Sequence, residues 1–180
     1  MYLLKSALLY LFQPFFRHKA NEPSFNYARL NACSAVVVCC IEQTSDQNTL
    51  EGLWTQSKKN FGSFLIIALV RAKPAWLKEQ PDTMPIDVSK FNFVGRLNKR
   101  LLKNMQDRKF DILIGVSDCQ TNLFKQCLKD LPAMFKTGAV TAGSCDSFQL
   151  TCQVDNQMES LAQRLNEVIT HLKKLKIQTI

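Results

Sequence analysis

Continuous apolar runs constrain the fold of this chain more than any other feature. Residues 35–41 and 64–70 are built entirely of apolar side chains, and residues 110–116 follow the same pattern with one interruption at Asp111. A strand with one face in water alternates apolar and polar residues, whereas a run without alternation is typical of a strand covered on both faces. Such strands occur in parallel sheets that lie between helices. The runs therefore predict an α/β fold.

Helical periodicity fills the intervals between these runs. After capping residues at 44–46, apolar side chains recur at helical spacing over residues 50–61. A longer series of the same kind, at 158–175, is predicted to dock on the sheet. Strand, helix and strand in that order form a βαβ unit with a right-handed crossover. The stretch 72–92 contains three prolines and is predicted to be irregular, with a brief strand at 91–93.

Two further segments complete the predicted sheet. Residues 135–140 predict a short strand, and residues 148–154 alternate strictly, as a half-exposed strand at a sheet edge does. We interpret this edge strand as antiparallel, and the glycines of 138–144 as part of a turn between neighbouring strands. The prediction is a single three-layer α/β domain with a mostly parallel sheet of five or six strands, one antiparallel edge strand and an N-terminal helical arm.

The first 31 residues are interpreted as an arm and linker that precede a domain at 32–180. Their apolar run is much shorter than the roughly 20 residues that cross a bilayer, and Pro14 interrupts it. No transmembrane segment is predicted, and no small-residue cleavage site follows the run. Residues 1–19 suit three roles, which are peripheral contact with an anionic membrane surface, packing on the domain, and oligomerisation with a second copy.

Cysteine usage indicates the compartment. The chain has seven cysteines, an odd number, and no secretory signal, so we expect a reducing, cytoplasmic environment. Their spacing matches no zinc motif, and His18 and His171 lie far from them, so no metal site is predicted. No glycine-rich nucleotide fingerprint occurs, and we expect no cofactor. Cys39 and Cys40 fall within the first apolar run and are predicted to be small core residues.

The net charge of +8 is concentrated in three blocks, at residues 1–31, 95–109 and 170–180. The middle block predicts a basic helix over 96–108. Four of its basic side chains share one helical face and form a compact positive stripe: Arg96, Lys99, Arg100 and Lys103. Such a stripe is suited to the phosphates of nucleic acid. A solvated helix face is the alternative, because no aromatic residue is interleaved to stack on a base.

Polar residues follow the strand at 110–116, at the position where open parallel sheets bind their ligands. Ser117, Asp118 and Cys119 precede a predicted helix, whose free N–H groups and dipole favour an anion and an ionised thiol. One interpretation is a small anionic ligand bound at residues 115–119. The alternative is that Ser117 or Asp118 caps the helix, as both residue types commonly do.

Short motifs at three places are shared with a known family. They are Phe-Val-Gly-Arg at 93–96, the strand and its end at 110–117, and Phe-Lys-Thr-Gly at 135–138. With these motifs the chain resembles, over residues 25–175, a small bacterial α/β family with a Phe-Asp-apolar-apolar-Ile strand and a later Lys-Val-Gly turn. Gly115 stands where that family commonly has an acidic residue, and Thr137 replaces its usual Val. The resemblance implies the fold and a cytoplasmic location, and that family has no established activity.

These patterns together predict a cytoplasmic binding or interaction protein without catalytic residues, and they leave its partner unidentified. One alternative is electrostatic association with nucleic acid or the ribosome through residues 96–109. The other alternative is an enzyme or a binder of a small anionic ligand at residues 115–119. No serine-hydrolase, zinc-protease or paired-carboxylate motif occurs in the sequence, so nothing in it favours an enzyme.

Overall fold

The computed structural model of the chain describes residues 27–41, 47–71, 76–77, 82–91, 96–117, 121–140, 147–154 and 160–175. Six strands form one sheet, and they are β1 Ser34–Ile41, β2 Ser63–Val70, β3 Thr83–Asp87, β4 Ile112–Val116, β5 Phe135–Val140 and β6 Leu150–Gln153. Their order is β3-β2-β1-β4-β5-β6, and every neighbouring pair is parallel. The predicted α/β class and parallel sheet are confirmed.

Helices cover both faces of the sheet. The described α-helices are α1 Gln47–Asn60, α2 Lys99–Gln106, α3 Asn122–Asp130 and α4 Leu161–Leu175. α1 and α4 bury their apolar side chains against one face, and α2 and α3 bury theirs against the other. The strands between them are covered on both sides, which explains their continuous apolar runs. The closing helix docks on the sheet, as its periodicity predicts.

The antiparallel direction predicted for the edge strand is wrong. β6 does lie at an edge, but it pairs with β5 in parallel, with Thr137 opposite Leu150. Its alternation has a different cause. Cys152 is buried in the cluster that includes the α4 side chains, whereas Gln153 is exposed, because α4 covers one face of this strand. One-sided cover gives a period of two whatever the direction of pairing.

The third strand lies inside the stretch predicted to be irregular. β3 contains Pro85 and pairs with β2 alone, so it forms the other edge of the sheet. Proline lacks the N–H that a central strand needs, but an edge strand tolerates it. Of the strand predicted at 91–93, Phe91 makes an isolated antiparallel bridge to Leu97, and the other two residues lie outside the described part of the chain.

The Phe-Asp pair of the β4 motif has a structural role at the amino ends of the central strands. Asp111 Oδ2 accepts hydrogen bonds from the backbone N of Ser34 at 2.7 Å and from Ser34 Oγ at 2.8 Å. In return, the backbone N of Asp111 donates to Ser34 O at 3.0 Å. These bonds join β1 to β4 at the edge opposite the ligand-binding end of a parallel sheet. The Asp111 carboxylate therefore stabilises the fold.

Gly115 and Gly138 face each other across β4 and β5, and both lie under the ring of Phe148. A Cβ on Gly115 would stand 2.6 Å from Phe148 Cζ, and a Cβ on Gly138 would stand 2.5 Å from Phe148 Cε2. Both distances are too short for real atoms, so the ring needs glycine at both positions. The prediction that Gly138 lies in a turn is wrong, because the Lys-Thr-Gly motif lies within β5.

The predicted N-terminal arm lies largely outside the described residues, and so does the whole segment 1–19 proposed for membrane contact. The described chain begins with a 3₁₀ helix at Tyr27–Ala32 that leads into β1. None of the described helices combines the length and apolar character that a membrane span requires.

Candidate functional site

β1 and β4 are the two central strands, and the sheet extends outward from them in both directions. The chain passes from β1 to α1 on one face, and from β4 to α3 on the other. The helices that follow the two strands therefore lie on opposite faces of the sheet. We name the carboxyl ends of β1 and β4 the carboxyl edge. In open α/β sheets, ligands bind in the crevice formed at this switch point.

Ser117 and Arg164 meet at the carboxyl edge. Ser117 follows β4 directly and is 3 % exposed, and Arg164, in the first turn of α4, is 5 % exposed. Arg164 Nη1 donates a hydrogen bond of 3.1 Å to the backbone O of Ser117. Removing a guanidinium from water is costly, so buried arginines are rare and are held by specific interactions. This contact places a positive charge at the end of β4.

Arg164 belongs to the inner stripe of α4, which reasoning from the sequence alone overlooked. The buried apolar side chains of this stripe are Leu161, Leu165, Val168, Ile169 and Leu172. Arg164 lies three residues after Leu161 and four before Val168, so helical geometry turns it towards the sheet with them. A single cation within an otherwise apolar stripe is the sequence signal that could have identified it.

α1 and α3 follow β1 and β4, and α4 brings Arg164 of its first turn to the end of β4, so three described helices begin near the carboxyl edge. None of the three has an acidic residue in its first turn. α4 opens with a capping box, in which Gln163 N donates to Ser160 Oγ at 3.2 Å and Ser160 N donates to Gln163 Oε1 at 3.1 Å. Since Gln163 is uncharged, this box itself adds no negative charge at the positive end of the helix dipole.

The three residues predicted at this loop have different outcomes. The structure places Ser117 at the carboxyl edge, whereas Asp118 and Cys119 lie outside the described residues. The interpretation of Ser117 or Asp118 as the helix cap is wrong. α3 begins at Asn122, and its cap is Thr121, whose Oγ1 accepts a hydrogen bond from Phe124 N at 3.1 Å.

The predicted basic stripe is exposed but is shorter than the sequence suggests. α2 begins at Lys99, so Arg96 precedes the helix and does not share its face. Lys99, Arg100 and Lys103 are exposed on the helix, whereas Met105 is buried against the sheet. The basic residues described in the C-terminal block, at 173–174, lie on α4, across the sheet from α2. These two blocks therefore do not form one surface.

A family model for a family of unknown function, DUF6913, matches residues 10–175. The chain belongs to this family. The resemblance seen in the sequence motifs is thereby confirmed. Among curated proteins, none matches the DUF6913 protein.

The solved structures include a similar chain, the glycosyl transferase family 9 protein from Veillonella parvula DSM 2008. The identity is 14 % and the TM-score is 0.51, and the match covers 84 % of the DUF6913 protein and 43 % of the transferase chain. The DUF6913 protein therefore spans less than half the length of that chain. At this level of identity the similarity shows the fold alone.

Lys136 is a half-buried cation of the DUF6913 protein, and it has a structural role. Its Nζ donates to the backbone O of Leu128 at 2.7 Å and of Lys129 at 3.3 Å, at the C-terminus of α3. Burial lowers the pKa of Lys136, and the nearby Asp130 carboxylate opposes that effect. Within the described residues, no three His, Cys, Asp or Glu side chains form a group that could hold a metal ion.

Proposed function

We propose that the DUF6913 protein is a binding protein for a small ligand that carries a phosphate group, and that it holds this group at the carboxyl edge. The observation that carries the proposal is the Arg164 guanidinium, buried at the end of β4 and fixed on the Ser117 carbonyl. An arginine positions a phosphate through several N–H donors in a fixed plane, which gives geometric specificity as well as charge.

The helix starts around the carboxyl edge support the same ligand class. Free N–H groups at the N-terminus of a helix point at an anion, and the helix dipole favours negative charge there. The first turns of α1, α3 and α4 contain no acidic side chain that would occupy these positions. β1 and β4 end side by side, and α1 and α3 follow them, so these two helices begin at the same edge of the sheet.

The proposal concerns binding and not catalysis. The described side chains at the carboxyl edge include a serine and an arginine, without a nucleophile and base in contact. A glycosyl transferase shares this fold, but the match covers less than half of its chain, so we propose no glycosyl transfer. The sequence predicts a binding protein without naming its partner. The proposal specifies that partner as a small phosphate-bearing ligand bound at the switch point.

The competing interpretation is that Arg164 serves an internal ion pair. The connections that follow β1 and β4 contain Glu42, Asp46 and Asp118 in the sequence, and all three lie outside the described residues. An ion pair with a carboxylate of the chain would serve to hold the guanidinium in the fold, whereas the proposal requires that some of its N–H donors bind the ligand. The two interpretations differ in whether an added anion stabilises the protein.

Thermal unfolding and amide NMR shifts would test the proposal. The probes are inorganic phosphate, a sugar phosphate and a nucleoside diphosphate, each compared with sodium chloride at equal ionic strength. A ligand at about 100 times its Kd stabilises the folded state by about 2.7 kcal/mol. We expect one probe to raise the Tm and to shift the amide signals of Ser117 and of residues 161–164.

Two variants of Arg164 show whether the effect depends on this side chain. Arg164→Lys keeps the charge but loses the planar donors, so we expect binding to weaken about tenfold or more, and Arg164→Gln should abolish it. A Lys99→Glu/Lys103→Glu variant, altered on α2 away from the carboxyl edge, should bind the small ligand as the wild type does. If no probe stabilises the wild type more than chloride does, the proposal is wrong.

A further inference from the structure

Helix α2 presents a positively charged face to solvent. Lys99, Arg100 and Lys103 are exposed, and their spacing places them on the side of the helix opposite Met105. Leu101 and Leu102 are half-buried and pack against the sheet with Met105. We name the three cations the α2 basic surface.

The α2 basic surface is not neutralised within the described structure. α2 itself contains no acidic residue, and none of its three cations forms an ion pair with a described carboxylate. Arg108 and Lys109 follow the helix and are also exposed, whereas Asp107 is the acidic residue of this segment. Since surface cations are commonly interspersed with acidic residues, this local excess creates a field that attracts an anionic partner.

The start of α2 is anchored, so its cations project from a fixed support. Asn98 Oδ1 accepts from Arg100 N at 2.9 Å, and Asn98 N donates to Lys90 O at 2.8 Å. Leu97 is buried, and its N–H donates to Asp130 Oδ2 at 3.2 Å, which ties α2 to α3. Preorganised side-chain positions reduce the entropy lost on binding.

We propose that the α2 basic surface binds the phosphate backbone of nucleic acid. This proposal is independent of the ligand at the carboxyl edge, because the residues involved are different. An anionic membrane is the less suitable partner, since an interfacial helix inserts its apolar face into lipid and α2 has buried that face against the sheet. The surface has no aromatic side chain to stack on a base, so the contact is sequence-independent.

The size of the surface sets the expected salt dependence. Three phosphate contacts predict that log K falls with log salt with a slope of roughly −2.7 on duplex DNA. The C-terminal basic residues Lys173 and Lys174 lie on the opposite face of the sheet and do not add to this footprint. Binding should therefore be weak at physiological salt and clear at low salt.

A matched pair of charge reversals provides the test. Lys99→Glu/Lys103→Glu alters the α2 basic surface, and Lys59→Glu/Lys174→Glu alters exposed lysines of α1 and α4 on the other face. Both double variants change the net charge of +8 by the same amount. Fluorescence anisotropy with a labelled duplex DNA and a labelled single-stranded RNA, over a range of salt, measures binding and its slope for the full chain.

We expect the α2 variant to lose at least tenfold in affinity at low salt and to reduce the slope by roughly two. The control variant should retain most of the affinity. Equal losses in the two variants would show a general charge effect and overturn the proposal, as would salt-independent binding. Thermal unfolding of each variant confirms that it is folded. Phosphatidylserine vesicles test the membrane alternative by co-sedimentation. If the protein binds the vesicles but neither nucleic acid, and the α2 reversal abolishes vesicle binding, the surface binds a membrane and the proposal is overturned.

Discussion

At the residue scale, one aromatic side chain explains why glycine is present at two positions, Gly115 and Gly138. The two glycines are opposite each other on β4 and β5, and the Phe148 ring lies on both. From the sequence, Gly138 is interpreted as a turn residue and Gly115 as a departure from a family pattern. In the structure, glycine is present at both positions for the same reason, because the Phe148 ring occupies the space that a Cβ would need.

Substituting each glycine should have different consequences. A Cβ on Gly115 meets the ends of side chains, with Phe148 Cζ at 2.6 Å and Leu128 Cδ2 at 3.0 Å, whereas a Cβ on Gly138 also meets the backbone O of Gly115 at 2.5 Å. We expect Gly115→Ala to cost roughly 1–3 kcal/mol, as overpacking does. Gly138→Ala should cost more, because backbone yields less than a side chain does.

Combining each glycine substitution with Phe148→Ala separates the two causes, with urea unfolding as the measurement. Removing the ring should offset much of the cost of Gly115→Ala but only part of the cost of Gly138→Ala, because the clash with the backbone O of Gly115 remains. Strict additivity of Gly115→Ala and Phe148→Ala would contradict the proposed contact, because residues in contact are expected to couple.

At the scale of the elements, caps define where helices begin and which side chains reach the carboxyl edge. The capping box of Ser160 and Gln163 starts α4 so that Arg164 falls in its first turn. Thr121 starts α3 four residues after Ser117, which leaves Ser117 free of a capping role at the end of β4. Neither cap was identified from the sequence, because several polar residues near each helix start could have served.

The cap of α3 can be verified by substitution. We expect Thr121→Ala to lower the free energy of unfolding by about 1 kcal/mol, since it removes the acceptor for Phe124 N. Thr121→Ser keeps a hydroxyl oxygen in place and should cost much less. Chemical unfolding of the two variants measures the difference, and an equal loss in both would argue that Thr121 contributes packing and not a cap.

At the scale of the whole molecule, the sheet divides the core into two layers and separates the cysteines. Cys39 is buried on the α4 side of β1, and Cys40 is half-buried on the other side, so the core prediction is confirmed for Cys39 and holds in part for Cys40. Burial raises the pKa of the Cys39 and Cys127 thiols, and it raises the pKa of Cys152 to about 11.

Thiol labelling should therefore report global unfolding. In the native protein, we expect Cys39, Cys127 and Cys152 to react only through opening of the core, at rates that follow stability. Cys33 is half-buried, and burial and the Asp111 charge raise its pKa, so its labelling should become faster as the pH rises and the thiolate forms. Peptide mapping after timed labelling measures the labelling rate of each cysteine. Fast labelling of Cys39 under native conditions would contradict the fold.

Local sequence patterns are sufficient to predict most of the helices and strands of this protein. Continuous apolar runs identified the buried strands β1, β2 and β4, and helical periodicity identified α1 and α4, because each pattern is set within a few neighbouring residues. β3 was not predicted because it contains Pro85. An edge strand tolerates proline, but whether a strand lies at an edge depends on pairing with β2, which local sequence does not show.

The strand order, the direction of β6 and the position of the site depend on contacts between segments that are distant in the sequence. The alternation of apolar and polar residues in β6 shows that one of its faces is covered. A parallel and an antiparallel edge strand would both give that pattern, so it does not indicate the direction. Arg164 and Ser117 lie 47 residues apart in sequence, and they meet because α4 returns across β4. Contacts of that kind depend on the path of the whole chain, so a pattern confined to one segment does not contain them.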